Sequence, residues 1–66
     1  MNLGRFIKIE RIKRGWTQAD LAKHSGISKR AICYYENGTY TPYQENITKL
    51  ANVFKIKEEQ IKSKIK

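Results

Sequence analysis

Two helix starts of the same kind, eleven residues apart, constrain this chain more than any other feature of its sequence. Thr17 precedes the first and Ser28 the second, and both residue types accept hydrogen bonds from the free N–H groups that open a helix. Asp20 makes the first start an acidic variant of the capping box. Each start is also flanked by an apolar pair at the spacing of a hydrophobic staple: Trp16 with Leu21, and Ile27 with Ile32. Because Gly26 between them fits a left-handed helix end, we predict two short helices joined by a tight turn.

The rest of the sequence also has helical periodicity, so the predicted fold class is all-α. Apolar residues three and four positions apart, together with glycine stops, predict further helices at about residues 3–14, 44–54 and 58–64. The first of these ends at Gly15, and the last would bury Ile61 and Ile65. A chain of 66 residues has room for one domain, over residues 1–66, with a modest core.

The helix after Ser28 has one side without aliphatic residues. At about 100° per residue, Ala31, Ile32 and Tyr35 fall together on the other side. The open side carries Lys29, Arg30, Cys33, Tyr34 and Asn37. In the major groove of DNA, lysine or arginine can meet guanine O6 and N7, and an aromatic ring can touch a thymine methyl. A solvated polar face is the alternative interpretation.

The charge balance favours a polyanionic partner. Lysine and arginine number 14 against 6 acidic residues, which gives a net charge of +8. Residues 1–35 contain eight basic and two acidic groups, so the excess lies in the half that holds the two capped helices. A small basic domain is typical of nucleic-acid-binding proteins, although an anionic membrane or solubility alone would also explain the charge.

Several short motifs share one pattern of spacing. They are TQADLA at 17–22, SGIS at 25–28, Ile32, YENG at 35–38, Pro42, and LA at 50–51. Together they resemble the Cro and phage-repressor type of helix-turn-helix family, over about residues 3–61. The resemblance implies a compact five-helix, lambda-repressor-like domain in which helices 2 and 3, about residues 17–36, form the helix-turn-helix. It also implies a sequence-specific regulator of transcription, with repression as the expected effect, that binds double-stranded operator DNA.

The same resemblance assigns individual side chains to the DNA. Lys29, Arg30 and Tyr34 match base-contacting positions, and Cys33 lies between them. Contacts to phosphates are expected from Arg11, Thr17, Gln18, Asn37, Thr39 and Thr41. Arg11 also matches a family pair with Glu36, so an ion pair with a structural role is the alternative for it. Ordinary turn chemistry is the alternative for the residues between 37 and 41.

Three residues depart from the family pattern. Ser25 stands where an apolar side chain is usual, which predicts looser packing of the second helix. Tyr43 and Lys57 replace small capping residues before the fourth and fifth helices, so we expect those helix starts to be shifted or frayed.

No combination of residues predicts catalysis, a metal site or a cofactor. His24 and Cys33 are the single members of their types, and a zinc site needs three or four ligands. The carboxylates are scattered and form no acid–base pair. We therefore expect a protein that is not an enzyme and has no small-molecule substrate.

The expected location is the cytoplasm, and the expected assembly is a homodimer. A single cysteine and no secretory signal fit a reducing compartment, and no run of about 18 apolar residues predicts a membrane span. One short recognition helix contacts few base pairs, so two copies would bind half-sites roughly 34 Å apart. Four apolar residues are candidates for the dimer surface, with a place in the core as the equal alternative: Phe6, Ile9, Ile61 and Ile65.

Three other classes of protein stay open. One is an antitoxin-like or other protein-interaction module, and another is the DNA-binding fragment of a longer, effector-sensing regulator. The third is a cationic membrane-active peptide, which the repeated caps and the apolar positions of a folded core disfavour.

Overall fold

Five α-helices make up the computed structural model, which describes residues 2–65. They are α1 (Leu3–Lys13), α2 (Gln18–Ser25), α3 (Lys29–Asn37), α4 (Gln44–Phe54) and α5 (Glu58–Lys62). No strand occurs within those residues. The all-α class and the five-helix order predicted from the sequence are confirmed.

The predicted end of the last helix is wrong by two residues, because α5 stops at Lys62 rather than at residue 64. The N–H groups of Lys64 and Ile65 donate to carbonyl oxygens three residues back, those of Ile61 and Lys62. The chain therefore tightens into a turn of the 3₁₀ type after Lys62.

The tight turn between α2 and α3 forms as predicted. Thr17 Oγ1 accepts a hydrogen bond from the Asp20 N–H at 3.1 Å, and Asp20 Oδ2 accepts one from the Thr17 N–H at 2.9 Å. Ser28 Oγ accepts from the N–H of Ala31 at 3.1 Å. Gly26 ends α2 with a φ of 78°, a left-handed conformation that favours glycine. These local hydrogen bonds fix where α2 and α3 begin.

The residues that depart from the family pattern have small local effects. Ser25 Oγ accepts a hydrogen bond from the Ile27 N–H at 3.1 Å, so its hydroxyl helps to close the turn. Tyr43 makes no side-chain cap, yet α4 begins at Gln44, where the periodicity predicts it. Lys57 precedes α5, whose start is capped from inside the helix by Gln60 Oε1, which accepts from the Lys57 N–H at 3.3 Å. The shifted helix starts expected at Tyr43 and Lys57 are therefore absent.

All five helices contribute to one hydrophobic core. Its buried members are Leu3, Ile7, Leu21, Ile27, Ile32, Tyr35, Ile47, Leu50, Ala51, Phe54 and Ile61. The exposure of the four candidate dimer residues shows which of them belong to the core. Ile61 is fully buried, and Phe6 and Ile65 are partly buried against the core, so a dimer surface at Ile61 is excluded. Only Ile9 of the four is classed as exposed, at 37%.

A glycine brings the start of α1 against the end of α3. A Cβ atom at Gly4 would lie 2.6 Å from the carbonyl oxygens of both Tyr35 and Glu36. Because real Cβ atoms do not approach oxygen that closely, only glycine allows this packing. The contact holds the last turn of α3 in place on the side away from solvent.

Candidate nucleic-acid interface

The outer side of α3 displays the side chains that the sequence predicts to be open. Lys29, Arg30, Cys33 and Asn37 are exposed, and Tyr34 is half-buried. Ile32 and Tyr35 are buried on the opposite side, so the rotation of the helix is the one predicted. The base-contacting candidates therefore share one surface, which begins at the first turn of the helix.

The cations of this surface are not neutralised by nearby carboxylates. Neither Lys29 nor Arg30 takes part in any ion pair found within residues 2–65. Their electrostatic potential is therefore available to an external anion. The N–H groups at the start of α3 add to it, since the N-terminal end of a helix attracts negative charge.

Glu36, on the inner edge of α3, joins three helices through its carboxylate. Its oxygens accept hydrogen bonds from Arg11 Nε at 2.7 Å, Arg11 Nη2 at 3.1 Å and Gln18 Nε2 at 3.1 Å. Only 11% of the Arg11 side chain and 6% of the Glu36 side chain are exposed. The hydrogen bonds to Glu36 raise the pKa of Arg11 above its ordinary value, so the guanidinium keeps its charge.

The ion pair between Arg11 and Glu36 was expected from the family resemblance, and the structure contains it. The remaining nitrogen of the guanidinium, Nη1, donates to the Trp16 carbonyl oxygen at 2.8 Å. All three nitrogens of Arg11 are thus engaged inside the protein. A phosphate contact by Arg11 stays a prediction, while its structural role is the one that the geometry displays.

Gln18 and Thr17 lie where α2 begins. One N–H of the Gln18 side-chain amide is used by Glu36, which leaves the second N–H for another acceptor. The Asp20 carboxylate, hydrogen-bonded to the Thr17 N–H, has a pKa below its ordinary value because of that bond. Asp20 therefore partly offsets the positive end of α2. The groups left for an anion include the second N–H of the Gln18 side-chain amide and the Thr17 hydroxyl proton.

The loop after α3 is held by hydrogen bonds of its own. Gly38 takes a left-handed φ of 83°, the Gly38 N–H donates to the Tyr35 carbonyl at 3.3 Å, and the Thr39 N–H donates to the Tyr34 carbonyl at 2.9 Å. This pattern is a Schellman motif. Asn37 Oδ1 also accepts from both the N–H and the hydroxyl of Thr39. Turn chemistry thus occupies the Asn37 oxygen and the Thr39 proton, and leaves the Asn37 NH₂ group and the exposed Thr41 for outside partners.

Two exposed tyrosines beside this surface were missed by the sequence reasoning. Tyr40 is 61% exposed and Tyr43 is 87% exposed. The Tyr40 ring packs edge-on against the Tyr34 ring, with 5.0 Å between ring centroids and 80° between ring planes. A shallow hollow of about 200 Å³ lies between α3 and the loop, lined by Ala31, Tyr34, Tyr35, Tyr40, Thr41 and Tyr43. The available signal was four tyrosines within the ten residues from 34 to 43.

Three further features of the described residues bear on other functions: the cysteine, possible metal ligands and the length of the helices. Cys33 is a free, exposed thiol. No three histidine, cysteine or acidic side chains within residues 2–65 are arranged to hold a metal ion. Among the same residues, every helix is too short or too polar to cross a lipid bilayer.

Comparison with known proteins gives one consistent family. A family model described as helix-turn-helix matches residues 7–61. An uncharacterized HTH-type transcriptional regulator of Archaeoglobus fulgidus is 40% identical over 55 residues, which cover 83% of this chain and 78% of that protein. Another, from Methanocaldococcus jannaschii, is 38% identical over 55 residues, 83% of each chain. No solved structure matches the chain significantly.

Proposed function

The chain belongs to the helix-turn-helix family, and from that membership we propose that it is a sequence-specific, double-stranded-DNA-binding regulator of transcription. The similarity to two archaeal proteins named as uncharacterized HTH-type transcriptional regulators supports the proposal. The observation that carries it furthest is the outer side of α3. There Lys29 and Arg30 stand exposed and without carboxylate partners among residues 2–65.

The proposed base contacts come from Lys29, Arg30, Cys33 and Tyr34. Arg30 and Lys29 would donate to guanine O6 and N7, which are acceptors in the major groove. Tyr34 and Cys33 offer less polar surface on the same side of the helix. The bridge through Glu36 supports this arrangement, because it ties α3 to α1 and α2 and so fixes the direction in which the cations point.

The proposed phosphate contacts fall at the two edges of that surface. Gln18 and Thr17 have donors available at the start of α2, and Asn37 and Thr41 have them after α3. Thr39 would have to exchange its bond to Asn37 for a phosphate. We assign Arg11 a positioning role, since its guanidinium holds Glu36 and the Trp16 carbonyl.

We further propose that residues 1–66 act as one domain, that two copies bind together, and that the effect is repression. A nine-residue recognition helix contacts too few base pairs for useful selectivity, which favours paired half-sites roughly 34 Å apart. A dimer bound across a promoter would block access to it sterically.

A titration of the purified protein with two duplexes tests the proposal. One duplex is selected by the protein from a random-sequence library, and the other is a random duplex of equal length. Phosphate contact predicts that log affinity falls linearly with log salt, with a slope of about −0.9 for each phosphate neutralised. Arg30→Ala should weaken binding to the selected duplex by about 1–3 kcal/mol and affect the random duplex much less.

Lys57→Ala is the matched control, because Lys57 is also an exposed cation at a helix start but precedes α5 rather than α3. It should leave the affinity for the selected duplex unchanged. Equal losses from Arg30→Ala on both duplexes would reject base contact by Arg30. Failure to select any duplex, or binding that ignores salt, would reject the function itself.

A further inference from the structure

The pair formed by Tyr34 and Tyr40 joins the recognition helix to the loop that follows it. The Tyr34 ring is half-buried on the flank of the open surface, and its one aromatic neighbour recorded in residues 2–65 is Tyr40, with the rings 5.0 Å apart at 80°. Edge-to-face geometry is an attractive arrangement for two rings. Contact with Tyr40 therefore restricts the rotation of the Tyr34 side chain.

The segment that carries Tyr40 is itself held firmly to α3. The Tyr34 carbonyl accepts hydrogen bonds from the Thr39 N–H at 2.9 Å and from the Tyr40 N–H at 3.5 Å, so the loop backbone folds over the residue that Tyr40 contacts. The Thr39 N–H also donates to Asn37 Oδ1 at 2.9 Å, and Pro42 is buried where the loop ends. These contacts hold the backbone at Tyr40 close to α3, although 61% of the residue is exposed.

The Tyr40 ring, held by its backbone and by its edge contact with Tyr34, still has free surface toward solvent. The two rings and Ala31 line the shallow hollow beside the open surface of α3. Such a hollow suits a small apolar group. The C5-methyl of thymine is the apolar group that bases display in the major groove, where the proposed function places α3.

We infer that Tyr40 is a positioning residue that sets the Tyr34 ring against a thymine methyl, so that the aromatic pair contributes a thymine preference to the DNA sequence bound. The inference rests on the proposed function. Lys29 and Arg30 select hydrogen-bond acceptors, whereas the tyrosine pair selects a methyl group. A ring that is already held in place loses little rotational freedom on binding, and that increases selectivity.

The test compares two chemical forms of one duplex. The wild-type protein first selects a duplex from a random-sequence library, and each thymine is then replaced in turn by deoxyuridine, which lacks only the methyl group. We expect one thymine per half-site at which wild-type affinity falls about fourfold, which corresponds to about 0.8 kcal/mol for one buried methyl-sized group.

Variants then connect that thymine to the two tyrosines. Tyr40→Ala should weaken binding to the thymine duplex about fourfold and become indifferent to deoxyuridine at that position. Tyr40→Phe should restore the preference, because it keeps the ring. Tyr34→Ala combined with Tyr40→Ala should bind no more weakly than Tyr34→Ala alone, since Tyr40 acts through Tyr34. Ile12→Ala is the control and should leave the thymine preference unchanged, because Ile12 is a large exposed apolar residue of α1 that does not line the hollow.

Each result decides between defined alternatives. If Tyr40→Ala weakens the thymine and deoxyuridine duplexes equally, Tyr40 contacts the sugar–phosphate backbone and the inference is overturned. If wild-type binding is indifferent to every methyl group while remaining sequence-specific, the inference fails and the proposed function stands. Absence of any selected duplex would overturn both. Thermal unfolding of each variant separates a loss of contact from a loss of fold, and the deoxyuridine series needs no variant.

Discussion

The two helix pairs of this chain are joined in different ways. Between α2 and α3, the Thr17 and Ser28 side chains cap the helix starts and Gly26 provides the left-handed turn. Every one of these devices acts within a few residues of chain. The pair that presents the candidate DNA surface is therefore specified mainly by local sequence.

Between α4 and α5 the local devices are weaker. Tyr43 precedes α4 without a side-chain hydrogen bond to it, and the residue that takes the left-handed conformation is Lys55, with a φ of 60°. The second pair is held by contacts between its two helices: the Glu58 carboxylate accepts hydrogen bonds from the side chains of Gln44 and Thr48, and Phe54 at the end of α4 is buried in the core. Both pairs supply core residues, but they divide by how each is fixed: the first by caps and a glycine turn, the second by contacts between its helices.

Removing Phe54 tests that division with the largest expected effect. Phe54 is 2% exposed, and the Arg14 guanidinium packs 4.9 Å from its ring centroid. Phe54→Ala should lower the free energy of unfolding by about 3–5 kcal/mol, because it leaves a cavity in the core. Urea unfolding followed by circular dichroism measures the change. Tyr43→Ala, which removes an 87% exposed ring, should change stability by less than about 0.5 kcal/mol, and similar losses from the two would refute the core assignment.

Removing Glu36 tests the carboxylate bridge that ties the first pair to α1. Glu36→Ala leaves the poorly exposed Arg11 guanidinium without its carboxylate, so the free energy of unfolding should fall by about 3 kcal/mol. Glu45→Ala breaks an exposed pair with Lys49 and should lower it by under about 1 kcal/mol. Calorimetric melting compares the two variants. A loss from Glu36→Ala as small as that of the control would mean that the bridge does not hold α3.

The two left-handed positions should respond with opposite signs. Gly26→Ala places a Cβ in a left-handed conformation and should destabilise the protein by about 1 kcal/mol. Lys55→Gly relieves the same strain and should stabilise it by up to about 1 kcal/mol, less the added entropy of glycine in the unfolded chain. Urea midpoints measured side by side decide the signs. Two changes of the same sign would contradict the comparison of the turns.

The smallest effects are expected at the caps. Ser28→Ala removes the hydrogen bond to the Ala31 N–H and should lower stability by about 1 kcal/mol. Tyr43→Ser introduces a cap where none exists and should raise it by about 0.5 kcal/mol. Differential scanning calorimetry resolves shifts of this size. If Ser28→Ala has no effect, the start of α3 is fixed by packing rather than by its cap.

The caps and the glycine turn of α2 and α3 are also the features that could be predicted best from the sequence. Thr17, Gly26 and Ser28 act on neighbours a few positions away, so their patterns define α2 and α3 without knowledge of the fold. The bounds of α4 were predictable because its apolar periodicity is long and regular, at Ile47, Leu50, Ala51 and Phe54. The rotation of α3, at about 100° per residue, was predicted in the same way, and contact with DNA stays a prediction for the residues that it exposes.

What could not be predicted depends on residues far apart in the chain. Arg14 Nη2 donates to the Phe54 carbonyl across forty positions, and no periodicity reports such a contact. The ring contact of Tyr40 with Tyr34 depends on how the loop folds back after Gly38. Ile61 lies in a five-residue helix, too short for its period to decide between the core and a partner surface.

Gly4 has a consequence that reaches beyond packing. The Gly4 Cα packs against the carbonyl oxygens of Tyr35 and Glu36, so one added methyl group would push α1 away from the last turn of α3. The same turn carries Glu36, which bridges to Arg11 and Gln18, and the Tyr34 carbonyl, which accepts hydrogen bonds from the loop after α3. Residue 4 lies away from the exposed side of α3, so a substitution there would impair the proposed DNA binding by misaligning α3 rather than by removing a contact to DNA.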